Sequence, residues 1–185
     1  VFHQSFFPLT GGFDYALAGD IEDVKAKADA DTAAILVEFI QGEGGVLPLE
    51  PSFARELEAF CKQNDILLIA DEVQTGVGRT GTFYCYEQYG VHPNLVTSAK
   101  GLGGGLPIGA ILADEKTCKV LGAGDHGSTF GGNPIACAGA NCVVDLVSQP
   151  GFLQQVQQKG AYFKEKLSKM PHVKSIRQMG LMIGF

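Results

Sequence analysis

The chain has 185 residues, enough for one domain with a hydrophobic core, and its 45% hydrophobic and 18% charged content excludes an intrinsically disordered protein. A formal net charge of -6, with only 14 lysines and arginines, argues against binding to nucleic acid or to an anionic membrane. No apolar run approaches the roughly 18 residues of a membrane span, and no basic leader followed by an apolar stretch is present, so we expect a cytoplasmic protein.

The first part of the chain alternates predicted helices and strands. Asp20 is a good N-cap for a short helix over 21–28, and the apolar pattern of 33–40 predicts a buried strand. Ser52 is predicted to cap the next helix, whose apolar residues recur at i, i+4, i+7 and i+8. The short apolar run 66–70 then predicts a strand buried on both faces. This alternation favours a parallel sheet.

One strand is expected to change direction. Residues 75–90 are predicted to form a long loop with a short helix, and 95–99 the next strand. The link 101–107 is too short for a crossover, so a strand over 108–113 should run antiparallel to its predecessor. We therefore predict an α/β fold with a mostly parallel sheet, one antiparallel strand and flanking helices.

Two helices are predicted towards the end of the chain. Asn133 and Pro134 suit the N-cap and first position of a helix that ends near Val147. An apolar stripe opposite glutamines and lysines predicts another helix over 152–169. The apolar residues 181–185 predict a strand that is cut off, so we expect the chain to be a piece of a longer protein.

The cysteines are predicted to be reduced. They are odd in number, show no CxxC spacing and lie mostly in apolar or helical patterns, which favours buried free thiols over a disulfide or metal framework. No histidine and cysteine spacing is typical of a metal site. The cysteines are Cys61, Cys85, Cys118, Cys137 and Cys142.

Asp71 and Lys100 each follow one of two predicted neighbouring strands. Parallel strands bring their carboxyl ends to one edge of a sheet, where ligands of open α/β folds bind. A glycine-flanked lysine suits Schiff-base chemistry, and an aspartate suits a charge-assisted hydrogen bond to a pyridinium nitrogen. Pyridoxal phosphate requires these two groups of a protein. An isolated aspartate and lysine are more often solvated surface groups. The surrounding residues therefore decide whether this pair forms a cofactor site.

Four motifs around this pair resemble the class III aminotransferases of fold type I, and most closely the acetylornithine aminotransferases. The motifs occur in the family's order and cover nearly the whole chain. They are VEFIQGEGGV (37–46), IADEVQTGVGRTG (69–81), SAKGLGGGLPIGA (98–110) and HGSTFGGNP (126–134).

The resemblance implies a role for each matching residue. Lys100 would bind pyridoxal 5'-phosphate covalently and move the proton, and Asp71 would pair with the pyridine nitrogen. Val73 would pack beneath the ring, and Gln74 would face the 3'-oxygen. These four are the expected cofactor-binding residues, and Lys100 and Asp71 are also the expected catalytic ones.

Two further matches concern a second subunit and the substrate. Thr129 would reach the cofactor phosphate bound by the partner subunit, which implies a homodimer with shared active sites. Glu43 would pair with an arginine on the substrate side, whereas Glu38 is expected to be structural.

The implied reaction is a ping-pong transfer of an amino group from acetylornithine, or a related ω-amino donor, to 2-oxoglutarate, as in arginine biosynthesis. Succinylornithine, ornithine and 4-aminobutyrate enzymes share these motifs. Residues 1–170 would belong to the cofactor-binding large domain, and 171–185 would begin the C-terminal small domain. The family's phosphate-binding loop and substrate arginine have no counterpart in this chain, and Phe39 replaces a usual proline, so we expect no turnover from the chain by itself.

Other interpretations have less support. Residues 76–81 match GxGxxG after a strand, but residues 82–84 do not open a helix and no acidic residue ends a strand about 20 residues later, as dinucleotide binding requires. His126 lacks the GxSxG elbow of a hydrolase. A truncated, non-catalytic interaction domain stays an alternative.

Overall fold

The computed structural model describes residues 6–185, so residues 1–5 of the predicted 1–170 domain lie outside the described part. Helices α1 to α4 cover Ile21–Lys27, Pro51–Gln63, Pro134–Val147 and Phe152–Ser168, and two 3-10 helices cover Cys85–Tyr89 and Lys100–Gly103. Strands β1 to β8 cover Ala34–Val37, Ile40–Gln41, Leu47–Pro48, Leu67–Asp71, Leu95–Ser98, Ala110–Ala113, Arg177–Met179 and Met182–Gly184. No described helix is both long and apolar enough to span a membrane.

Four strands form the central sheet, in the order β1-β4-β5-β6. β1, β4 and β5 are parallel, and β6 is antiparallel to β5, as the short link predicted. The predicted α/β fold with a mostly parallel sheet is confirmed. The pairing sets Asp71 at the end of β4 opposite Thr97 of β5, which fixes where the candidate site lies.

Described residues cover only one face of this sheet. The buried residues of that face are Leu68, Ala70, Val96 and Ser98, and the first three lie in the main hydrophobic core. On the other face Leu36 and Ile111 remain 60% and 65% exposed. The expected burial of the strand over 66–70 on both faces is therefore wrong, because side chains alternate along a strand and its second-face residues Leu67 and Ile69 are only half-buried. Asp71 lies on this open face, since its register partner Thr97 pairs with Ile111.

Side-chain caps begin two of the helices where the sequence predicted. The Asp20 side chain accepts two backbone hydrogen bonds at 3.0 and 3.1 Å and caps α1. The Asn133 side chain accepts one at 2.9 Å and caps α3. The predicted cap at Ser52 is wrong, because α2 already begins at Pro51, whose fixed φ suits the first helical position.

The terminal apolar run forms β8, but the sequence did not predict its partner β7. The two strands make an antiparallel hairpin whose turn contains Gly180. Leu181 N donates to Arg79 O at 2.9 Å, and a Cβ on Gly180 would lie 2.5 Å from Thr80 C. Met182 is buried in the main core. The hairpin therefore packs on the segment that follows β4.

Gly160 of α4 touches the turn of this hairpin. A Cβ on Gly160 would lie 2.1 Å from the backbone oxygen of Gly180, which cannot rotate away. Gly160→Ala should therefore destabilise the intact protein by about 1–3 kcal/mol through overpacking, although alanine normally favours a helix over glycine by about 1 kcal/mol. Urea or thermal unfolding measures the change. Gly127→Ala is the control, since nothing lies within 4 Å of its added Cβ, and equal stability of both variants would contradict this packing.

All five cysteines are free, but only two of them are buried. Cys61 and Cys85 lie in the main core, and burial raises the pKa of the Cys61 thiol to about 11. The expected burial is wrong for Cys118 and Cys142, which are exposed, and for Cys137, which is half-buried. Apolar neighbours in sequence do not reveal which face of an element the core covers.

Candidate active site

Asp71 ends β4 and is held in one orientation. Its Oδ1 accepts hydrogen bonds from the backbone N–H of Val73 at 3.0 Å and from the hydroxyl of Thr97 at 3.2 Å. Both hydrogen bonds that described residues make to this carboxylate use Oδ1, so Oδ2 is available on the open face of the sheet. The half-buried carboxylate can therefore accept a further charge-assisted hydrogen bond.

Lys100 lies three residues after Thr97 and begins the second 3-10 helix. The reach of an extended chain keeps its Cα within about 11 Å of that of Thr97. Its side chain is exposed, and its φ is +44°, in the left-handed region that residues other than glycine rarely adopt. Strain of this kind, on the order of 1–3 kcal/mol, persists where the surroundings hold it and clusters at functional sites.

Glycines let two neighbouring segments hold the second 3-10 helix. A Cβ on Gly101 would lie 3.7 Å from Val77 Cβ, so the loop after β4 contacts the start of this helix. A Cβ on Gly139 of α3 would lie 3.4 Å from Gly103 O and 2.7 Å from Leu106 Cδ1. The chain after β5 is therefore fixed by close packing against both segments.

Val73 and Gln74 follow β4 directly and are half-buried. The side chain of Gln74 covers Gly42, where an added Cβ would lie 1.4 Å from Gln74 Oε1. Gly42 opens the turn between β2 and β3, so this contact brings the turn that carries the exposed Glu43 beside Gln74. Glu38 Oε2 accepts from Gly42 N at 3.1 Å and closes the same turn, which fits its expected structural role.

A cavity of about 250 Å³ lies between this turn, the loop after β4 and the β7–β8 hairpin. Gln74 and Arg79 supply its polar side chains, and Leu181, Met182 and Ile183 of the hairpin supply an apolar wall. Sequence reasoning missed the contribution of the hairpin, because its short strands carry no chemical signal of their own.

Thr129 lies in the loop before α3 and is exposed. Among the hydrogen bonds of the described residues, none joins it to Asp71, Lys100 or Gln74. The neighbouring Phe130 is 82% exposed. Thr129 and Phe130 are therefore accessible to a molecule outside this chain.

Glu72 is fully buried, although the sequence pattern predicted no role for it. Its carboxylate accepts hydrogen bonds from Thr75 Oγ1 at 2.5 Å, from Cys85 N at 3.0 Å and from Tyr86 N at 2.8 Å. Burial raises the pKa of this carboxyl, against the hydrogen bonds, which lower it. Strand alternation is the signal that could have found it, since one of two adjacent carboxylates at a strand end must point into the core.

The GxGxxG glycines of 76–81 are packed against protein atoms. A Cβ on Gly76 would lie 2.7 Å from Glu72 O, and those on Gly78 and Gly81 would meet side chains of α3 and α4 at 3.0 and 2.7 Å. The segment leads into a 3-10 helix and not into an α-helix. These glycines therefore make room for neighbouring segments of the protein, which removes the reason for expecting a pyrophosphate there.

The strand ends thus offer a carboxylate oxygen and an amine from adjacent parallel strands. This pair suits a ligand that presents a protonated ring nitrogen and a reactive carbonyl carbon. The described residues contain no group of histidine, cysteine or acidic side chains arranged to hold a metal ion.

Comparison with known sequences points to one family. The family described as Aminotransferase class-III matches residues 6–185. The chain is 50% identical over 185 residues to the acetylornithine aminotransferase of Haemophilus ducreyi, which covers 100% of this chain and 47% of that protein. It is 45% identical over 183 residues to the acetylornithine aminotransferase of Bacillus subtilis, covering 97% and 48%. The chain spans about half the length of the curated relatives it matches.

Solved structures agree with the sequence comparison. An ornithine aminotransferase from Toxoplasma gondii, described as having partial occupancy of PLP at its active site, matches with a TM-score of 0.88 and 36% identity over 98% of this chain and 45% of that chain. The N-acetylornithine aminotransferase from Stenotrophomonas maltophilia matches with a TM-score of 0.80 and 37% identity, over 95% and 47%. The predicted aminotransferase fold is confirmed.

Proposed function

This chain belongs to the class III aminotransferases, and we propose that the protein containing it transfers an amino group from acetylornithine, or a related ω-amino donor, to 2-oxoglutarate, with pyridoxal 5'-phosphate as cofactor. The observation that carries this proposal is the placement of Asp71 and Lys100 after two adjacent parallel strands. The two acetylornithine aminotransferases at 50% and 45% identity support the choice of donor. Because the chain spans about half of those relatives, the activity is proposed for the whole protein, and we expect no turnover from this chain by itself.

The residues at the strand ends fit this cofactor. When bound, pyridoxal phosphate supplies a protonated ring that withdraws electrons from the carbon that loses a proton. Asp71 would hold the ring nitrogen through Oδ2, while Val73 N and the Thr97 hydroxyl keep Oδ1 in place. In this proposal Val73 packs beneath the ring and Gln74 contacts the 3'-oxygen.

Lys100 is proposed to anchor the cofactor through Nζ and to move the substrate proton with the same atom. Its exposed side chain and its left-handed backbone, held by packing of the next residues, support a functional role. The two half-reactions use this site in turn, so the product of the donor leaves before 2-oxoglutarate enters.

A titration of the intact protein with pyridoxal phosphate tests the cofactor. We expect a new absorbance band at a longer wavelength than that of the free cofactor as Lys100 binds it. The same titration with NAD should give no binding, and saturable binding of NAD with none of pyridoxal phosphate would overturn the proposal. This chain by itself should bind pyridoxal phosphate weakly or not at all.

Glu43 is proposed to face the substrate. Its turn is anchored beside Gln74 through Gly42, and Gly42 also lines the cavity of about 250 Å³. An amino-donor panel on the intact protein tests the donor. We expect the highest kcat/KM with acetylornithine, whose transamination would be a step of arginine biosynthesis. A preference for succinylornithine, ornithine or 4-aminobutyrate would contradict the donor and leave the reaction class standing.

A homodimer with shared active sites is also part of the proposal. The stretch 120–135, which includes Thr129, exposes large apolar side chains that a second copy would cover, namely Val120, Leu121, Phe130 and Ile135. Phe130→Asp in the intact protein should shift the dimer towards monomer in analytical ultracentrifugation, because burial of such a side chain stabilises by about 1.5–3 kcal/mol. Tyr162→Asp, at an exposed position of α4, is the control. An unchanged dimer in the Phe130 variant would contradict this interface.

We further propose that a domain boundary lies near residue 170 and that the protein is cytoplasmic. The end of α4 at Ser168 and the link over 169–176 support the boundary, while Met182 of the hairpin packs in the main core. The five free cysteines suit a reducing compartment.

A further inference from the structure

Glu72 places a buried carboxylate directly after Asp71. Asp71 lies on the open face of the sheet, whereas the side chain of Glu72 is fully buried. Its backbone continues the pairing of the two strands, because Glu72 N donates to Thr97 O at 3.0 Å. Two acidic residues at one strand end therefore have opposite environments, and only the outer one is accessible to a ligand.

The carboxylate of Glu72 joins three points of the segment that follows it. Oε2 accepts from Thr75 Oγ1 at 2.5 Å and from Cys85 N at 3.0 Å, and Oε1 accepts from Tyr86 N at 2.8 Å. Cys85 and Tyr86 are the first two residues of the first 3-10 helix, whose N–H groups have no partner within the helix itself. Glu72 thus caps a helix that begins 13 residues further along the chain.

The same residue closes the turn that carries Val73 and Gln74. Glu72 O accepts from Gly76 N at 2.9 Å, and the side chain of Glu72 holds the Thr75 hydroxyl. Val73 and Gln74 lie between Glu72 and the two residues that it holds, Thr75 and Gly76. Their positions relative to Asp71 therefore depend on Glu72.

We propose that Glu72 is a positioning residue for cofactor binding, which fixes Val73 and Gln74 beside Asp71 by tying the loop after β4 to the first 3-10 helix. The inference rests on the proposed function, since it assigns Glu72 to the same cofactor site. A carboxylate is required because three donors converge on its two oxygens. An amide would replace one acceptor by a donor and leave a buried N–H without a partner.

Glu72→Gln in the intact protein tests the proposal, with Glu87→Gln as the matched control. Glu87 also accepts a backbone hydrogen bond, from Tyr84 N at 2.7 Å, but its side chain is exposed. In the cofactor-free protein we expect amide hydrogen exchange at Cys85 and Tyr86 to be at least about tenfold faster in the Glu72 variant. We also expect about tenfold weaker binding of pyridoxal phosphate and a shifted absorbance maximum of the bound cofactor. The control variant should match the wild type in all three.

The outcomes separate the two proposals. If the wild type binds pyridoxal phosphate and the Glu72 variant binds it equally with an unchanged spectrum, the positioning role is wrong and the proposed function stands, even if exchange is faster. If the wild type does not bind it, the proposed function fails, and this inference fails with it. If Glu72→Gln does not fold, Thr75→Val tests the proposal instead, because it removes only the hydrogen bond from the Thr75 hydroxyl to Glu72. This variant should weaken binding of pyridoxal phosphate by about threefold. Unchanged binding in that variant overturns the proposal.

Discussion

Replacing Lys100 by alanine in the intact protein is expected to abolish covalent attachment of pyridoxal phosphate and to lower turnover by at least about 10²–10⁴-fold, the range for loss of a positioned acid–base group. The physical reason is that one atom, Nζ, is proposed both to anchor the cofactor and to carry the substrate proton. No other described lysine follows a strand of the central sheet on the side where Asp71 ends β4.

Borohydride reduction with the cofactor bound, followed by peptide mapping, measures the attachment. The wild type should carry the tag on Lys100, and the alanine variant should carry none. Lys116→Ala is the control, because Lys116 is exposed and pairs with Asp65 at the surface. A tag on a different lysine, or near-normal turnover in the Lys100 variant, would show that the assignment is wrong.

Asp71→Asn is expected to lower kcat by at least roughly 10- to 150-fold, which corresponds to the loss of a hydrogen bond to a charged group worth about 1.5–3 kcal/mol. The amide keeps the shape of the side chain, and its carbonyl oxygen can still accept from Val73 N and the Thr97 hydroxyl. The fold should therefore survive, while the ring nitrogen loses the negative charge that keeps it protonated.

Steady-state kinetics with the preferred donor, together with the spectrum of the bound cofactor, measures this effect. Asp31→Asn, at an exposed loop position, is the control and should leave kcat and the spectrum unchanged. If Asp71→Asn binds the cofactor and turns over at nearly the wild-type rate, Asp71 does not pair with the ring nitrogen.

Local sequence patterns predicted much of the scaffold because they report on interactions within a few residues. Asp20 and Asn133 cap their helices through backbone groups two to three residues away. The short link before β6 excluded a crossover and so predicted its antiparallel direction. Asp71 and Lys100 were found in the same way, since each directly follows or closely follows a short apolar run that forms a strand.

Long-range packing decided what those patterns could not. Strand alternation predicts that one of the two adjacent acidic residues points inward, and the packed first 3-10 helix shows that it is Glu72, while Asp71 stays on the open face. The glycines of 76–81 formally match a dinucleotide motif, yet the space beside them is occupied by a backbone oxygen and by side chains of α3 and α4. Their neighbours come from distant segments, which no local periodicity encodes.

The sequence by itself therefore determined the family, the order of most elements and the residues at the strand ends. These depend on motif order, on hydrophobic periodicity and on short-range hydrogen bonds. Only the tertiary structure decided which face of the sheet is covered, that the β7–β8 hairpin lines the cavity, and that Glu72 holds the loop carrying Val73 and Gln74. Those features are contacts between segments far apart in the chain, and such contacts form only when the whole domain packs.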